Sequence, residues 1–314
     1  MSERMRAVRQ DVLGGPEVLR LVEVDRPEPG PTEVLVRVRA AGVNPTDWKH
    51  RAMKIFLGDP PFTLGWDVSG VVEEAGFGVT VHKPGDEVFG MLRYPHGVGS
   101  HAEYVVAPSR TFVRKPAGID HVQAGALPLA ALTAWQALVD TADLREGQRV
   151  LVHAAAGGVG HLAVQIAKAR GAHVLGTASG SKHAFLRGLG VDEPIDYRSV
   201  DFAEAAEDVD VVLDTIGGDY GPRSLRTMRR GGTLVTVAGR AQPEDIAQQA
   251  AEHGVRFEKL LVEPDFHAMS QIAALAAAGR LRAEIDTVLP LEDAAKAHER
   301  GETGRVSGKI VLTV

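Results

Sequence analysis

Arg149-Val150-Leu151-Val152-His153-Ala154-Ala155-Ala156-Gly157-Gly158-Val159-Gly160 decides the fold. Its first five residues read as a short buried strand, after which Val159, Leu162, Ala163, Ile166 and Ala169 recur at helical spacing. His173-Val174-Leu175-Gly176-Thr177 reads as a second strand, so the glycine turn sits in the βαβ context that a dinucleotide-binding turn requires. Gly157 and Gly158 let backbone approach a pyrophosphate, flanked by Ala156 and Val159, and Gly160 lets helix pack on strand. The helix N-terminus offers unpaired N–H groups to an anion. The first position of the pattern holds Ala154, where the turn needs only a small residue. The alternative reading is an ordinary tight turn in an α/β domain.

Beyond Lys182 the βα rhythm continues through Ile195-Asp196-Tyr197, Val209 to Asp214, Gly232 to Val237 and Val255 to Val262. Near-continuous apolar strands separated by helices indicate a parallel sheet. Upstream, Ala7 to Gln10, Leu19 to Val24 and Val34 to Arg39 alternate apolar with polar residues, the pattern of half-buried antiparallel strands. Ala41-Gly42-Val43-Asn44-Pro45 is a turn, its residue before proline pushed away from helix. More strands follow from Leu64 to Gly76, Pro84 to Gly90 and Ala102 to Ala107, and the tail closes on a strand from Lys309 to Val314. The expected fold class is therefore α/β: a β-rich domain over 1–124 and 264–314, interrupted by a doubly wound parallel-sheet domain over 125–263.

With 314 residues, 44% hydrophobic and 24% charged, the chain can bury a large core. A net charge of −6 and the lack of a basic block argue against a nucleic-acid surface. No stretch reaches the ~18 apolar residues of a membrane span, and Met1 to Asp11 has no apolar signal core, so a cytoplasmic protein is expected. Zero cysteines exclude disulfides, thiolate nucleophiles and cysteine-ligated zinc. His96 and His101 lie in a glycine-rich loop without an acid cluster and read as solvated loop histidines. No metal site is expected.

The order of Ala41-Gly42-Val43-Asn44-Pro45, Leu127-Pro128-Leu129-Ala130-Ala131-Leu132-Thr133-Ala134, the 154–160 turn and Gly308-Lys309-Ile310-Val311-Leu312 resembles the medium-chain dehydrogenase/reductase superfamily, within it the zinc-free quinone oxidoreductase branch. The resemblance implies a GroES-like catalytic domain and a Rossmann domain. Zinc members carry a cysteine after the first Gly-Val and a Gly-His-Glu before the next strand; the matching positions here are Asn44 and Gly65-Trp66-Asp67. An amide and an indole are not zinc ligands. Without a Lewis acid, the feasible chemistry is hydride delivery from a reduced nicotinamide to an acceptor whose conjugation spreads negative charge.

The resemblance also implies that Asn44 and Thr133 lie near the nicotinamide, where an amide and a hydroxyl orient the ring or donate to an acceptor oxygen. The competing readings are a turn residue bonding its own backbone for Asn44 and a core hydroxyl for Thr133. Asp47 and Trp48 are pocket candidates. Related reductases often carry an aromatic residue where this chain has Lys49. The second strand ends in Thr177-Ala178-Ser179-Gly180-Ser181-Lys182, with no acid for the ribose hydroxyls of NAD; hydroxyls and Lys182 suit the 2′-phosphate of NADPH. The resemblance adds Tyr197 beside that phosphate and places the Ala238-Gly239 turn near the nicotinamide. Ile216 joins the cofactor set, and Leu261 and Val262 line the substrate mouth or belong to the core. The resulting expectation is a zinc-independent, NADPH-dependent reductase of a quinone or conjugated carbonyl. The alternatives are an enoyl reductase and an NADPH-binding protein without turnover. A homodimer is expected, with Thr233 to Val237 toward a sheet edge that needs covering.

Overall fold

The computed structural model describes residues 3–96, 99–238 and 242–314, and divides into two compact units, Met1–Leu132 with Glu263–Val314, and Thr133–Val262. In the first unit the strands are β1 (Arg4–Gln10), β2 (Arg20–Asp25), β3 (Glu33–Val43), β4 (Phe62–Thr63), β5 (Asp67–Ala75), β6 (Glu87–Met91), β7 (Tyr104–Pro108) and β8 (Phe112–Arg114). The second unit holds β9 (Arg149–Val152), β10 (His173–Ala178), β11 (Glu193–Asp196), β12 (Val209–Asp214), β13 (Met228–Thr236) and β14 (Arg256–Lys259). The chain then returns to the first unit for β15 (Ile285–Pro290) and β16 (Lys309–Thr313).

The first unit is built on a sheet in the order β15-β16-β3-β5-β6-β8, with β7 also on β3 and a smaller β2-β1-β4 sheet beside it. β3 is its spine: Val34, Val36, Val38, Ala40 and Ala41 are all buried, and the last strand of the chain pairs antiparallel with its end, Ile310 opposite Val43. That pairing brings the C-terminal strand against the turn at Asn44. Residues 125–132, expected in the interrupting domain, belong to this unit. A Cβ on Gly125 would stand 2.9 Å from the Ala40 carbonyl oxygen, and the Leu129 amide donates to Asp67 at 2.6 Å.

The second unit is a parallel sheet in the order β11-β10-β9-β12-β13-β14, doubly wound with the order reversing beside β9. Both faces are covered, so Val150, Leu151, Val152, Val212, Leu213 and Leu234 are buried, as their unbroken apolar runs require. Thr233 to Val237, expected toward a sheet edge, lies one strand in from it. β13 pairs on one side with β12 and on the other with β14, and its β-branched residues report burial on both faces. The edge on this side is Arg256–Lys259, whose charged residues suit exposure.

Candidate functional site

In the first unit the site grows from the end of β3. Asn44 precedes Pro45 and adopts the extended conformation that proline imposes, φ −127° and ψ 157°, which ends the strand and opens the helix Pro45–Ala52. Its backbone amide donates to Asp47 Oδ2 at 2.6 Å. Its side chain takes a different direction from the one expected of a turn residue. Nδ2 donates to Asp67 Oδ2 at 2.8 Å, and Oδ1 accepts from the ammonium of Lys309. Lys309 also reaches the Val43 carbonyl and Asp67 Oδ2, each at 3.4 Å. Asn44, Asp47, Asp67 and Lys309 are all at most 2% exposed. Gly42 makes room for this set, since a Cβ there would stand 2.4 Å from Asp67 Oδ2 and 2.7 Å from the Gly125 carbonyl oxygen.

Asp47 is the titratable member. Burial pushes its carboxyl up to about 7, with the nearby Asp67 carboxylate adding to the rise and the amides of Asn44 and Gly65 and the Lys309 charge opposing it. One oxygen, Oδ1, is buried without a hydrogen-bond partner among the described residues, which favours a proton on this group. Trp48 goes elsewhere. Its ring packs over Gly301 and edge-on to His298, in an apolar cluster with Leu291, Ala294 and Ala297, so the structure gives it a packing role and does not bring it to Asn44.

An aromatic group that sequence reasoning missed stands beyond this helix. Trp66 lies 5.2 Å from Tyr94 and 5.3 Å from His50 between ring centroids, and Phe56 flanks both His50 and Tyr94. Thr46 Oγ1 joins the Tyr94 hydroxyl at 3.2 Å. His50 Nδ1 donates to the Thr46 carbonyl at 2.8 Å while Nε2 accepts from the Phe56 amide, and burial lowers its pKa, all consistent with a neutral ring. These four rings stand in the unit that lacks an aromatic at Lys49 and come from separate stretches of the chain, so their meeting is invisible in the sequence.

The donor set does not fit zinc. The two positions expected to differ from zinc ligands hold Asn44 and Trp66, an ammonium sits on the amide, and among the described residues no three His, Cys, Asp or Glu side chains gather to hold a metal. The reading of His101 as a solvated loop histidine is corrected: the ring is fully buried beside Gly65 and His298, because the backbone of this loop bonds to Leu64, Gly65 and Val8. His96 is exposed.

In the second unit the turn after β9 is held by a chain of hydrogen bonds whose direction is fixed. Ser224 Oγ donates to the Tyr220 carbonyl, so it accepts from His153 Nε2 at 2.8 Å. His153 Nδ1 then accepts from Thr177 Oγ1 at 3.3 Å, and that oxygen accepts the Ala154 amide at 3.1 Å. His153 is fully buried and is pushed down to about 4 by burial, against the pull of Asp214. Thr177, expected to touch cofactor, therefore spends its hydroxyl on the turn itself. Gly160 cannot be another residue, for a Cβ would lie 2.3 Å from the Ala154 oxygen. The amides of Gly158, Val159 and Gly160 meet no acceptor among the described residues ahead of the helix Gly160–Ala169, which is the arrangement that receives a phosphate. Ala156 is buried beneath them.

At the end of β10, Ser179 is buried and its hydroxyl meets Ser181 at 3.2 Å, while Lys182 is half-buried with no carboxylate partner among the described residues. Tyr197 is exposed, with the Arg198 guanidinium 5.8 Å from its ring centre. β10 ends without an acid, but β11 supplies one. Asp196 Oδ2 lies 2.6 Å from where a Gly180 Cβ would be. Arg198 and Asp196 are thus additions to this loop. Ile216 is exposed, its amide bound to Asp214 Oδ1 at 2.9 Å, and Ala238 donates its amide to Thr236 Oγ1 at 3.2 Å. Gly239 lies outside the described residues. Leu261 is exposed and Val262 buried, so the two differ in availability to a ligand. Thr133, in the helix Pro128–Trp135, is buried.

Comparison with known proteins gives two family matches, an alcohol dehydrogenase GroES-like domain over residues 30–117 and a zinc-binding dehydrogenase family over residues 189–312. The chain is 34% identical to the quinone oxidoreductase of Sus scrofa, covering 96% of this chain and 97% of that one. It is 33% identical to a 2-methylene-furan-3-one reductase of Solanum lycopersicum, covering 99% and 80%. Among solved structures, a quinone oxidoreductase of Coxiella burnetii superposes with a TM-score of 0.93 at 38% identity, covering 99% and 100%. The Escherichia coli quinone oxidoreductase complexed with NADPH superposes at 0.89 and 28%, covering 98% and 100%. With its GroES-like and Rossmann units and these relatives, the chain belongs to the quinone oxidoreductase branch of the medium-chain dehydrogenase/reductase superfamily and is an NAD(P)H oxidoreductase.

Proposed function

We propose that the protein is a zinc-independent, NADPH-dependent reductase that delivers hydride to a quinone or related conjugated carbonyl. The observation that carries this reading is the closed set of Asn44, Asp67 and Lys309, in which the amide at the cysteine-ligand position is bonded to a carboxylate and to an ammonium. An alcohol substrate then lacks the Lewis acid that stabilises its alkoxide, whereas a conjugated acceptor spreads the incoming charge itself. Bound NADPH supplies the hydride. The free amides at Gly158 to Gly160 hold its pyrophosphate, and Ser179, Lys182, Tyr197 and Arg198 receive the 2′-phosphate, against one opposing carboxylate, Asp196. Asn44 donates to the acceptor oxygen. Two named relatives, a quinone oxidoreductase and a reductase of a methylene-furanone, support this acceptor class, the second favouring reduction of a conjugated C=C bond.

NADPH oxidation followed with a panel of quinones and a panel of enones tests the reading, with metal content measured in the same preparation. Turnover that survives a chelator is expected. Stoichiometric zinc with activity lost to the chelator would overturn zinc independence, and cofactor binding without turnover on either panel would make this a binding protein. The reading includes a homodimer, formed through the exposed edge of β14; a monomer across micromolar concentrations in light scattering would exclude it.

A further inference from the structure

Lys309 is a buried cation of the first unit. Its side chain is 2% exposed, and the three donors of an ammonium meet three acceptors: Asn44 Oδ1, the Val43 carbonyl and Asp67 Oδ2. Two of those acceptors belong to the stretches, Asn44 and Gly65-Trp66-Asp67, that stand where zinc-dependent relatives of the superfamily carry their ligands. We infer that the Lys309 ammonium supplies, from behind Asn44, the positive charge that a metal supplies in those relatives, and that it acts as a positioning and polarising residue through the Asn44 amide.

A primary amide has two N–H groups and one oxygen. Here the oxygen is fixed by the ammonium and one N–H by Asp67, so the amide cannot flip without placing an N–H against a cation and an oxygen against a carboxylate. One N–H remains for a ligand. A cation on Oδ1 draws electron density from the nitrogen, which strengthens that remaining donor, as bonds in a chain polarise one another in a dry interior. As hydride adds at carbon, the π pair of the acceptor moves onto its oxygen, and a proton from solvent completes the product. The strengthened N–H meets the charge while it sits on oxygen. Asp67 also holds the Leu129 amide at 2.6 Å, so the carboxylate that orients Asn44 is itself held on both oxygens.

This inference rests on Asn44 facing the acceptor, as the functional reading has it. Lys309→Met removes the charge and keeps most of the stem, and should lower kcat by about 10- to 100-fold, with the KM for NADPH unchanged. Asn44→Ala should do the same. The decisive comparison is Asn44→Ala against Asn44→Ala with Lys309→Met, which needs no folded Lys309→Met single variant and removes the amide together with the ammonium bound to it. No further loss is expected, because Lys309 acts through an amide that is already gone; an additional tenfold loss would overturn the proposal. A readout free of turnover uses 4-nitrophenol, whose phenolate mimics the oxyanion and absorbs in the visible. Wild type should bind the phenolate about tenfold more tightly than Lys309→Met does, with neutral phenol binding alike to both; equal phenolate binding would overturn it. If wild type reduces neither acceptor panel, the functional reading fails; if it reduces them and Lys309→Met leaves kcat intact, only this inference does.

Discussion

The Ala154 amide donates to Thr177 Oγ1 at 3.1 Å, and this bond holds an alanine at φ +48°, in the left-handed region, at the head of the dinucleotide turn. Carbonyl and Cβ crowd each other there, at a cost of roughly 1–2 kcal/mol for a residue other than glycine. Ala154→Gly should therefore raise stability by up to about 1 kcal/mol, offset by the added freedom of the unfolded chain. Thr177→Val removes the acceptor and leaves the Ala154 amide and His153 Nδ1 unpaired in the interior, costing about 2–4 kcal/mol. Chemical denaturation of the two variants checks both signs, and a Thr177→Val protein as stable as wild type would remove the hydroxyl from the account.

Gly42 faces a carboxylate and a carbonyl. A methyl at 2.4 Å from Asp67 Oδ2 and 2.7 Å from the Gly125 oxygen must push one of them aside, and the carboxylate is held by three partners. Gly42→Ala is expected to destabilise the protein by about 1–3 kcal/mol and to reduce turnover through the displaced Asn44. Calorimetry and steady-state kinetics on one preparation read both, and turnover at the wild-type level would dissociate Gly42 from the site.

Cofactor selectivity should respond to two residues in opposite directions. Lys182→Ala should weaken NADPH by about tenfold, the lower end for a charge-assisted bond at a solvated site, and leave NADH almost untouched. Asp196→Asn removes the carboxylate beside Gly180 and should improve NADPH over NADH by roughly 3- to 10-fold, the scale of ~1 kcal/mol. Fluorescence titration of both cofactors separates the cases. Equal weakening of NADH and NADPH in Lys182→Ala would remove the phosphate from this loop.

Buried histidines make the protein sensitive to acid. Neither nitrogen of His101 has a hydrogen-bond partner among the described residues, and burial pushes the ring down to about 4, opposed by the Gly42 backbone. A group lowered in the folded state gives its stability above its unfolded pKa and loses it as pH falls through the folded value, here between about 6.5 and 4. Unfolding then takes up a proton, at a cost on the order of 2 kcal/mol at pH 5. His153 and His298 act in the same direction; Asp47, raised to about 7, opposes them, because its proton is bound more tightly in the folded state as pH falls from about 7 toward 4. His101→Phe should shrink the stability difference between pH 7 and pH 5 by about that amount. Denaturant midpoints at the two pH values measure it, and an unchanged difference would show that His101 takes up its proton without unfolding.

The sequence by itself determined the parts whose signal is local. Spacing of Val159, Leu162, Ala163 and Ile166 makes a helix, the apolar runs of β9, β10 and β12 make buried parallel strands, and Gly160 is dictated by the approach of one backbone to another. These follow from periodicity and steric room within a few residues. Tertiary structure alone decided which distant groups meet. Lys309 reaches Asn44 only because the last strand pairs with the third, Asp196 reaches Gly180 only because β11 lies beside β10, and the rings of His50, Trp66 and Tyr94 converge from separate segments. A one-dimensional reading assigns a charged residue to water by default. Lys309 and Asp67 escape that rule because each satisfies the other and the amide between them, a balance that exists only when strands far apart in the chain are side by side.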